Sequence, residues 1–546
     1  MFASTRLDAP GQLATDLGVG ATWTESALVA RSYLKWGARF AEHLSGDFAV
    51  VVWDRRERLL IACRDPFGVR SLFYRRAPSG IWFSRDLQAL LRTFESTPAL
   101  DDDRVVEHLL GIFSATHRTF FQPIRSVPPG QTVVFRGATA EAQTQTYWNP
   151  PAAVSDRRPS QPTTEFLEEF RELFRRSVAT RLRGCPAAVV HVSGGVDSSV
   201  IALVGDQIES GASDRVAIVG AMASYPGFGC DEDAYVRPLE RQLRFPVKRW
   251  DGTQSVAMDL VSPALDGPAF QSAFVNGTLG DIDIAQGQGA AVILSGTGGD
   301  ELTINVGTAK DMLSRREWTR ALDRVVLSRG SPRRRLLSRL KHLASQYLPA
   351  SFATERAVRR FRVPPWLTAA SRQRVGGIVA GQAAPVLDSA ASADVWRRVN
   401  SPQLITSVEA VQRQATPFGV EYRFPFLDRE LVRFVVSAAA AYWPARTRPH
   451  QRAFERQLPA VIGTRQSKAD LTPAFANRIR RAAPLIEQLF SGGIWVSGRY
   501  VTREAALNAW RTFDWRTADG VTCRRIWSLV TLEAWLRRVF GYIPSP

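Results

Sequence analysis

The stretch "VVHVSGGVDSSVIAL" (Val189 to Leu203) constrains this chain more than any other. An apolar run breaks into Ser-Gly-Gly-Val-Asp-Ser-Ser and returns at once to apolar residues. That order reads as a buried strand, a tight turn and a buried helix whose start the serines can cap. The glycines let backbone approach a phosphate, and a helix N-terminus offers free N–H groups with a favourable dipole. There is no Gly-Lys-Ser/Thr, so the loop is not of the kind that transfers a γ-phosphate. The bland alternative is a glycine-rich turn that binds nothing.

A second stretch, "ILSGTGGDEL" (Ile293 to Leu302), repeats the layout and ends in paired carboxylates. Together with "RVAIVGAMA" (Arg215 to Ala223), these apolar runs separated by helical segments imply a parallel sheet with crossover helices. An amphipathic helix is expected from about Glu165 to Leu182, and mostly helix beyond Lys310. The front of the chain has another rhythm. From Asp47 to Ser84 short β-rich runs alternate with turn residues, an antiparallel meander, and "TVVFRG" after "PPGQ" adds a strand. The Pro-, Ser- and Arg-rich stretch from Pro150 to Thr164 reads as a linker. The expected organisation is a two-domain α/β chain: an antiparallel β domain over 1–150, a linker over 151–164, and an α/β domain over 165–546. No internal repeat is visible.

Phosphate chemistry needs Mg²⁺, a hard cation that takes one or two carboxylates plus phosphate oxygens. Asp197 and Asp300 each follow a sheet strand, at the edge where open α/β sheets bind ligands. Glu301 is the weaker candidate, with a cap as its alternative role. The net charge of +18 leaves room for an acidic partner, anionic lipid or nucleic acid. Much of the excess is arginine, densest over Ser314 to Leu343, where Leu336, Leu337, Leu340 and Leu343 form one helical stripe. A solvated helix face is the plain reading, and a docking surface for an acidic partner or membrane headgroups is the other. No apolar run approaches a membrane span and the N-terminus lacks a signal-peptide layout. The four scattered cysteines suggest neither a metal site nor a disulfide framework, which points to a reducing, bacterial cytoplasm.

Ser193 to Ser199 resembles the PP-loop of ATP pyrophosphatases, which cleave ATP between the α and β phosphates. A third signature, "GVEYRFPFLDRELVRFV" (Gly419 to Val435), makes the resemblance specific. The order SGGxDSS, SGxGxDE, E-x-R-x-PFLD is similar to that of the asparagine synthetase family of amidotransferases. "LSGDFAVVVWD", "CRDPFGVRSLFY" and "FFQPIRSVPPGQ" likewise resemble the later part of that family's Ntn-type glutaminase domain. The resemblance implies that a carboxylate attacks the α-phosphorus of ATP, giving an acyl-adenylate and pyrophosphate, and that an amine then displaces AMP. It assigns ATP contacts to Val192, Ser193, Gly194, Gly195, Val196, Asp197, Ser198, Ser199, Val219, Ser295 and Gly296. It assigns catalytic roles to Asp197, Asp300, Arg423 and Lys468. Lys468, in "LPAVIGTRQSKADLTP", falls where the family brings a cation to the α-phosphate.

Two departures matter. The family's glutaminase uses an N-terminal cysteine thiol, whereas residue 2 here is Phe and the first cysteine is Cys63, inside an apparent core strand. A truncated scaffold without glutaminase activity is expected. Ammonia-using relatives also resemble SGEG in the second loop, where this chain has Thr297, which argues for another amine. The deleted front, the arginine-rich region and "RVPPWLT" (Arg362 to Thr368) look most like the macrolactam cyclases of lasso peptide biosynthesis. In those enzymes an Asp or Glu side chain of the precursor is adenylated and the core peptide's N-terminal amine attacks it. The resemblance implies a precursor core peptide as substrate, with a leader-binding protein and a leader peptidase as partners. Ordering a peptide backbone costs roughly 1–2 kcal/mol per residue, so a wide pocket is expected between the sheet and the helices beyond Lys310. His191, Trp366, Tyr422 and Phe424 are candidate lining or core residues. β-Lactam formation and asparagine synthesis from free ammonia remain alternatives, with a PP-loop tRNA modifier more remote.

Overall fold

The computed structural model describes the chain apart from residues 21, 113–116, 137–141, 150–163, 212–215, 255–265, 269–277, 304–361, 381–389, 439–447, 466–467 and 543–546. Most of the expected linker and the whole arginine-rich stretch 314–343 therefore lie outside the described residues.

The front half builds two antiparallel sheets. β1 (Phe2–Leu7), β2 (Gly46–Asp54), β3 (Leu59–Arg64), β7 (Gln131–Arg136) and β8 (Gln143–Thr146) pair in the order β1-β2-β3-β7-β8. β4 (Phe73–Ala77), β5 (Gly80–Ser84) and β6 (Ile124–Ser126) form a second sheet in the order β5-β4-β6. β2 is apolar from Phe48 to Val52 because both faces are covered there. Phe48, Val50 and Val52 face the main core, while Ala49 and Val51 pack with Leu72, Val133 and Phe135 toward the second sheet. The edge strand β1 was not foreseen. Its "AST" centre carries no apolar alternation, and it pairs with β2 as an edge strand.

The back half is a parallel sheet of β9 (Ala187–His191), β10 (Ala217–Ser224), β11 (Val247–Asp251), β12 (Val292–Leu294) and β13 (Glu421–Arg423), ordered β11-β10-β9-β12-β13. Helices Thr164–Leu182 and Val196–Gly211 pack together beside it, as do Thr278–Gly287 and Pro402–Ala415. The central strands were legible as apolar runs. The edge strands were not: β11 reads VKRWD and β13 has three residues.

The two halves share one core, and buried arginines join them. Arg64 Nη2 lies 2.7 Å from Glu409, Arg70 Nη2 lies 2.6 Å from Glu421, and Arg429 donates to the Leu44 carbonyl at 2.6 Å. The "RDPFGVRS" loop wraps the Arg64 guanidinium, which donates to the Arg70 and Gly68 carbonyls. Gly68 has φ +70°, and a Cβ there would sit 2.8 Å from Arg64 Nη2, so the loop needs glycine. A second core gathers Leu87, Val105, Leu109 and Phe121 around Trp527 and Trp535 of the last helix, Gly520–Val539. Trp366 belongs to that core, and Tyr422 and Phe424 are buried in the main one. All three are packed as core residues. Among the described residues no helix is long and apolar enough to cross a membrane.

Candidate active site

Two loops leave neighbouring strands at the C-terminal edge of the parallel sheet. β9 and β12 pair directly (Val190 with Leu294), which sets the loop after each side by side. In the first loop, Ser198 Oγ meets the Ser193 N–H at 2.9 Å and Ser199 Oγ donates to the Gly195 carbonyl at 2.8 Å. These bonds close the turn, and the first-turn amides of the helix from Val196 have no intrahelical partners. A Cβ on Gly194 would lie 2.7 Å from Arg465 and Tyr235, and one on Gly299 would lie 2.8 Å from the Asp197 carboxylate. The glycines are where the two loops and their supports touch.

Asp197 and Asp300 converge on the same cations. Arg448 Nη1 lies 3.3 Å from Asp197 Oδ2 and 3.2 Å from Asp300 Oδ1. Lys468 Nζ contacts Asp300 Oδ2, and His450 Nε2 lies 2.7 Å from Asp197 Oδ1. Burial alone would raise the Asp197 carboxyl. Contact with His450 and the charges of Arg448 and Lys468 reverse that and hold it below its ordinary value. Lys468 is pulled below its ordinary value by desolvation, against the charges of Asp197 and Glu232. Glu301 is pushed up, first by burial and then by Asp197.

The donor set suits Mg²⁺. Two carboxylates share one guanidinium, and buried Asp300 Oδ1, though 3.2 Å from Arg448 Nη1, accepts no hydrogen bond of good geometry. Among the described residues no group of three or more His, Cys, Asp or Glu could hold a metal unaided, so phosphate oxygens would complete the shell. Asp197 and Asp300 would hold the ion, which supplies charge neutralisation at the phosphates.

Of the residues singled out from sequence, the structure brings together Ser193 to Ser199, Ser295, Gly296, Asp300 and Lys468. Val192 and Val219 are buried; Val219 sits within β10 level with Val189, below the loop rim. Arg423 is held elsewhere. It donates to Glu421 at 2.6 Å and to the Arg181 carbonyl at 2.6 Å, in a buried joint with Arg70. The third signature thus joins the domains and props the second loop, since the Ser295 N–H bonds the Arg423 carbonyl at 3.0 Å. Thr297 Oγ1 lies 3.0 Å from Ser295 Oγ.

Three side chains that meet these loops escaped sequence reasoning. Arg448 and His450 flank the start of helix Pro449–Ala453, and Arg465 bonds the Gly194 carbonyl at 2.7 Å. The only signal was a cluster of basic residues just upstream of Lys468. A cavity of about 540 Å³ lies apart from this edge, between the domains, lined among others by Arg70, Phe73, His108, Asp266 and Glu409. No residue of either loop faces it.

A parallel α/β sheet with a glycine phosphate loop, an acidic second loop and convergent cations defines a nucleotide-binding domain, here joined to an antiparallel β domain. The chain belongs to the asparagine synthase family: residues 169–537 match that family's model, and residues 16–148 match the glutamine amidotransferase domain. It is 26% identical over 305 residues to the amidase chyE of Penicillium rubens, covering 53% of this chain and 44% of that protein. It is 26% identical over 182 residues to asparagine synthetase [glutamine-hydrolyzing] 3 of Bacillus subtilis, covering 33% of this chain and 29% of that protein. The chain spans less than half the length of these curated relatives. Among solved structures it overlaps glutamine phosphoribosylpyrophosphate amidotransferase from B. subtilis at TM-score 0.20 and 10% identity, over 45% of this chain and 69% of that one.

Proposed function

We propose that the chain is an ATP-dependent, AMP-forming amide ligase that closes the macrolactam of a lasso-type precursor peptide. An Asp or Glu side chain of the peptide is adenylated and the core peptide's own N-terminal amine displaces AMP. The observation that carries this reading is the convergence of Lys468 and Arg448 on Asp197 and Asp300 between two glycine loops, with Thr297 where ammonia-using relatives have glutamate. Backbone amides of the first loop orient the pyrophosphate end of ATP. Lys468 and Arg448 meet the negative charge that develops at the α-phosphate in both half-reactions. His450 sets the Asp197 carboxylate. All four cysteines are buried, so this chain presents no accessible thiol for glutamine hydrolysis. A tethered amine then gains the effective concentration of an intramolecular step.

The same reading makes a leader peptidase and a leader-binding protein the partners, the cytoplasm the site of action, and region 314–343 the surface for an acidic partner or membrane headgroups. The test incubates the protein with ATP, Mg²⁺ and the leaderless form of the short peptide encoded beside its gene. The expected product is lighter than the peptide by one water. The relatives named asparagine synthetases favour a second reading, amidation of aspartate by free ammonia, and asparagine formation in a parallel reaction would establish it.

A further inference from the structure

Amide formation needs somewhere to put a proton. The attacking nitrogen loses one as it bonds to the acyl carbon; in the second loop Asp300 is engaged by Arg448 and Lys468, and Thr297 is a hydroxyl paired with Ser295 rather than a base. The neighbouring strand offers one. His191 is the last residue of β9, paired with Ala221 and one step beyond the Val190–Leu294 pair, so it stands beside the start of the second loop. Its Nδ1 lies 2.6 Å from Asp281 Oδ2. Asp281 is only 1% exposed, and its other oxygen accepts from Trp250 Nε1 at 2.9 Å. Trp250 in turn packs on Gly280, where a Cβ would lie 2.1 Å from the indole. Side chains of β11 and of helix Thr278–Gly287 thus fix the imidazole from behind.

Such an arrangement selects one tautomer. A neutral His191 donates Nδ1–H to Asp281 and presents the lone pair of Nε2 on the far side of the ring. The side chain is 33% exposed, and Nε2 has no hydrogen-bond partner among the described residues. A buried carboxylate orienting an imidazole whose other nitrogen is free is the geometry of a general base.

We propose that His191, oriented by Asp281, is the general base of the amide-forming half-reaction, accepting the proton of the attacking nitrogen at Nε2. The proposal rests on the adenylating reading above. The nitrogen lone pair forms the C–N bond, the C–O bond to the AMP phosphate breaks, and AMP leaves as the anion. The N–H proton passes to Nε2 and then to water, with Asp281 steadying the imidazolium.

The titration supports the role. Burial pulls the imidazole down, but the charge and hydrogen bond of Asp281, helped by Glu232, outweigh it and raise it above its ordinary value. Asp281 from the packed helix and Glu232 from the loop before Asp233 are the charged groups that act on it; Ala221 on β10 and the β12 side bring none. The amide step should therefore rise with pH through that raised value and level off.

Two half-reactions separate this inference from its parent. ATP–pyrophosphate exchange and single-turnover amide formation are followed with the leaderless peptide in wild type, His191→Gln and Asp281→Asn. Expected in His191→Gln is exchange within about threefold of wild type, amide formation down on the order of 10²–10³-fold, and AMP released without amide. In Asp281→Asn the plateau should fall by about tenfold or more, and the acidic limb should move to lower pH, because the raising charge is gone. A packing role would leave that limb where it is. Amide formed by wild type and undiminished in His191→Gln, or exchange and amide falling together in both variants, overturns the base. No amide from wild type with any acceptor overturns the parent reading and this one with it. Should His191→Gln not fold, the pH limb of Asp281→Asn decides alone.

Discussion

The two sheets handle buried charge in opposite ways. In the antiparallel half, buried charged groups hold loops and opposite charges in place. Arg64 is 0% exposed and holds a loop and Glu409, while the Asp65 carboxylate accepts from the Phe67, Val69 and Arg70 amides. At the edge of the parallel sheet, cations crowd two carboxylates and an Asp300 oxygen is left without a hydrogen bond of good geometry. A guanidinium wrapped by its own loop makes a joint, and cations converging on two carboxylates make a site. The regions matched to the glutamine amidotransferase and asparagine synthase models thus meet at a joint of buried arginines.

That contrast breaks if charge removal has the same effect in both places. Asp300→Asn should cut ATP–pyrophosphate exchange by at least ~10³-fold, about 4 kcal/mol of barrier, with the urea midpoint nearly unchanged. Arg64→Ala should do the reverse. Removing one partner of a buried pair costs about 3–5 kcal/mol, read from urea unfolding, while exchange per folded molecule stays within twofold. An Arg64→Ala protein that is stable but inactive would erase the distinction.

Asp47 sharpens it further. Its fully buried carboxyl is raised by desolvation but held down to about 2 by Arg6, 2.7 Å away. A folded value below the unfolded one near 3.8 means the native state binds fewer protons there. The contribution, about 2 kcal/mol, is present at neutral pH and lost as pH falls from about 4 to 2. Asp47→Asn should flatten that part of the stability curve without touching the half-reactions. The smallest effect belongs to Cys63, whose thiol is pushed up by burial in β3. Cys63→Ala should cost about 1 kcal/mol and leave amide formation unchanged, and neither protein should release glutamate from glutamine.

The sequence made the central strands, both glycine loops and the pair Asp197 and Asp300 legible, because apolar runs ending in Gly-rich turns are local patterns. It also flagged Lys468. Arg448, His450 and Arg465 were invisible, since they reach the loops from the far end of the chain and nothing local marks a cation as aimed inward. Arg423 is the opposite case. It sits in a conspicuous motif, yet its guanidinium is anchored on Glu421 and Arg181 at the domain joint. Edge strands β1, β11 and β13 escaped because an edge needs neither length nor apolar alternation.

The most direct measurement is ATP–pyrophosphate exchange by the full chain, with the leaderless peptide and with aspartate plus ammonia as separate carboxylate substrates. The account expects exchange driven by the peptide, abolished in Asp300→Asn, with AMP as the only nucleotide product. Exchange driven by aspartate alone, or ADP and phosphate as products, would contradict it.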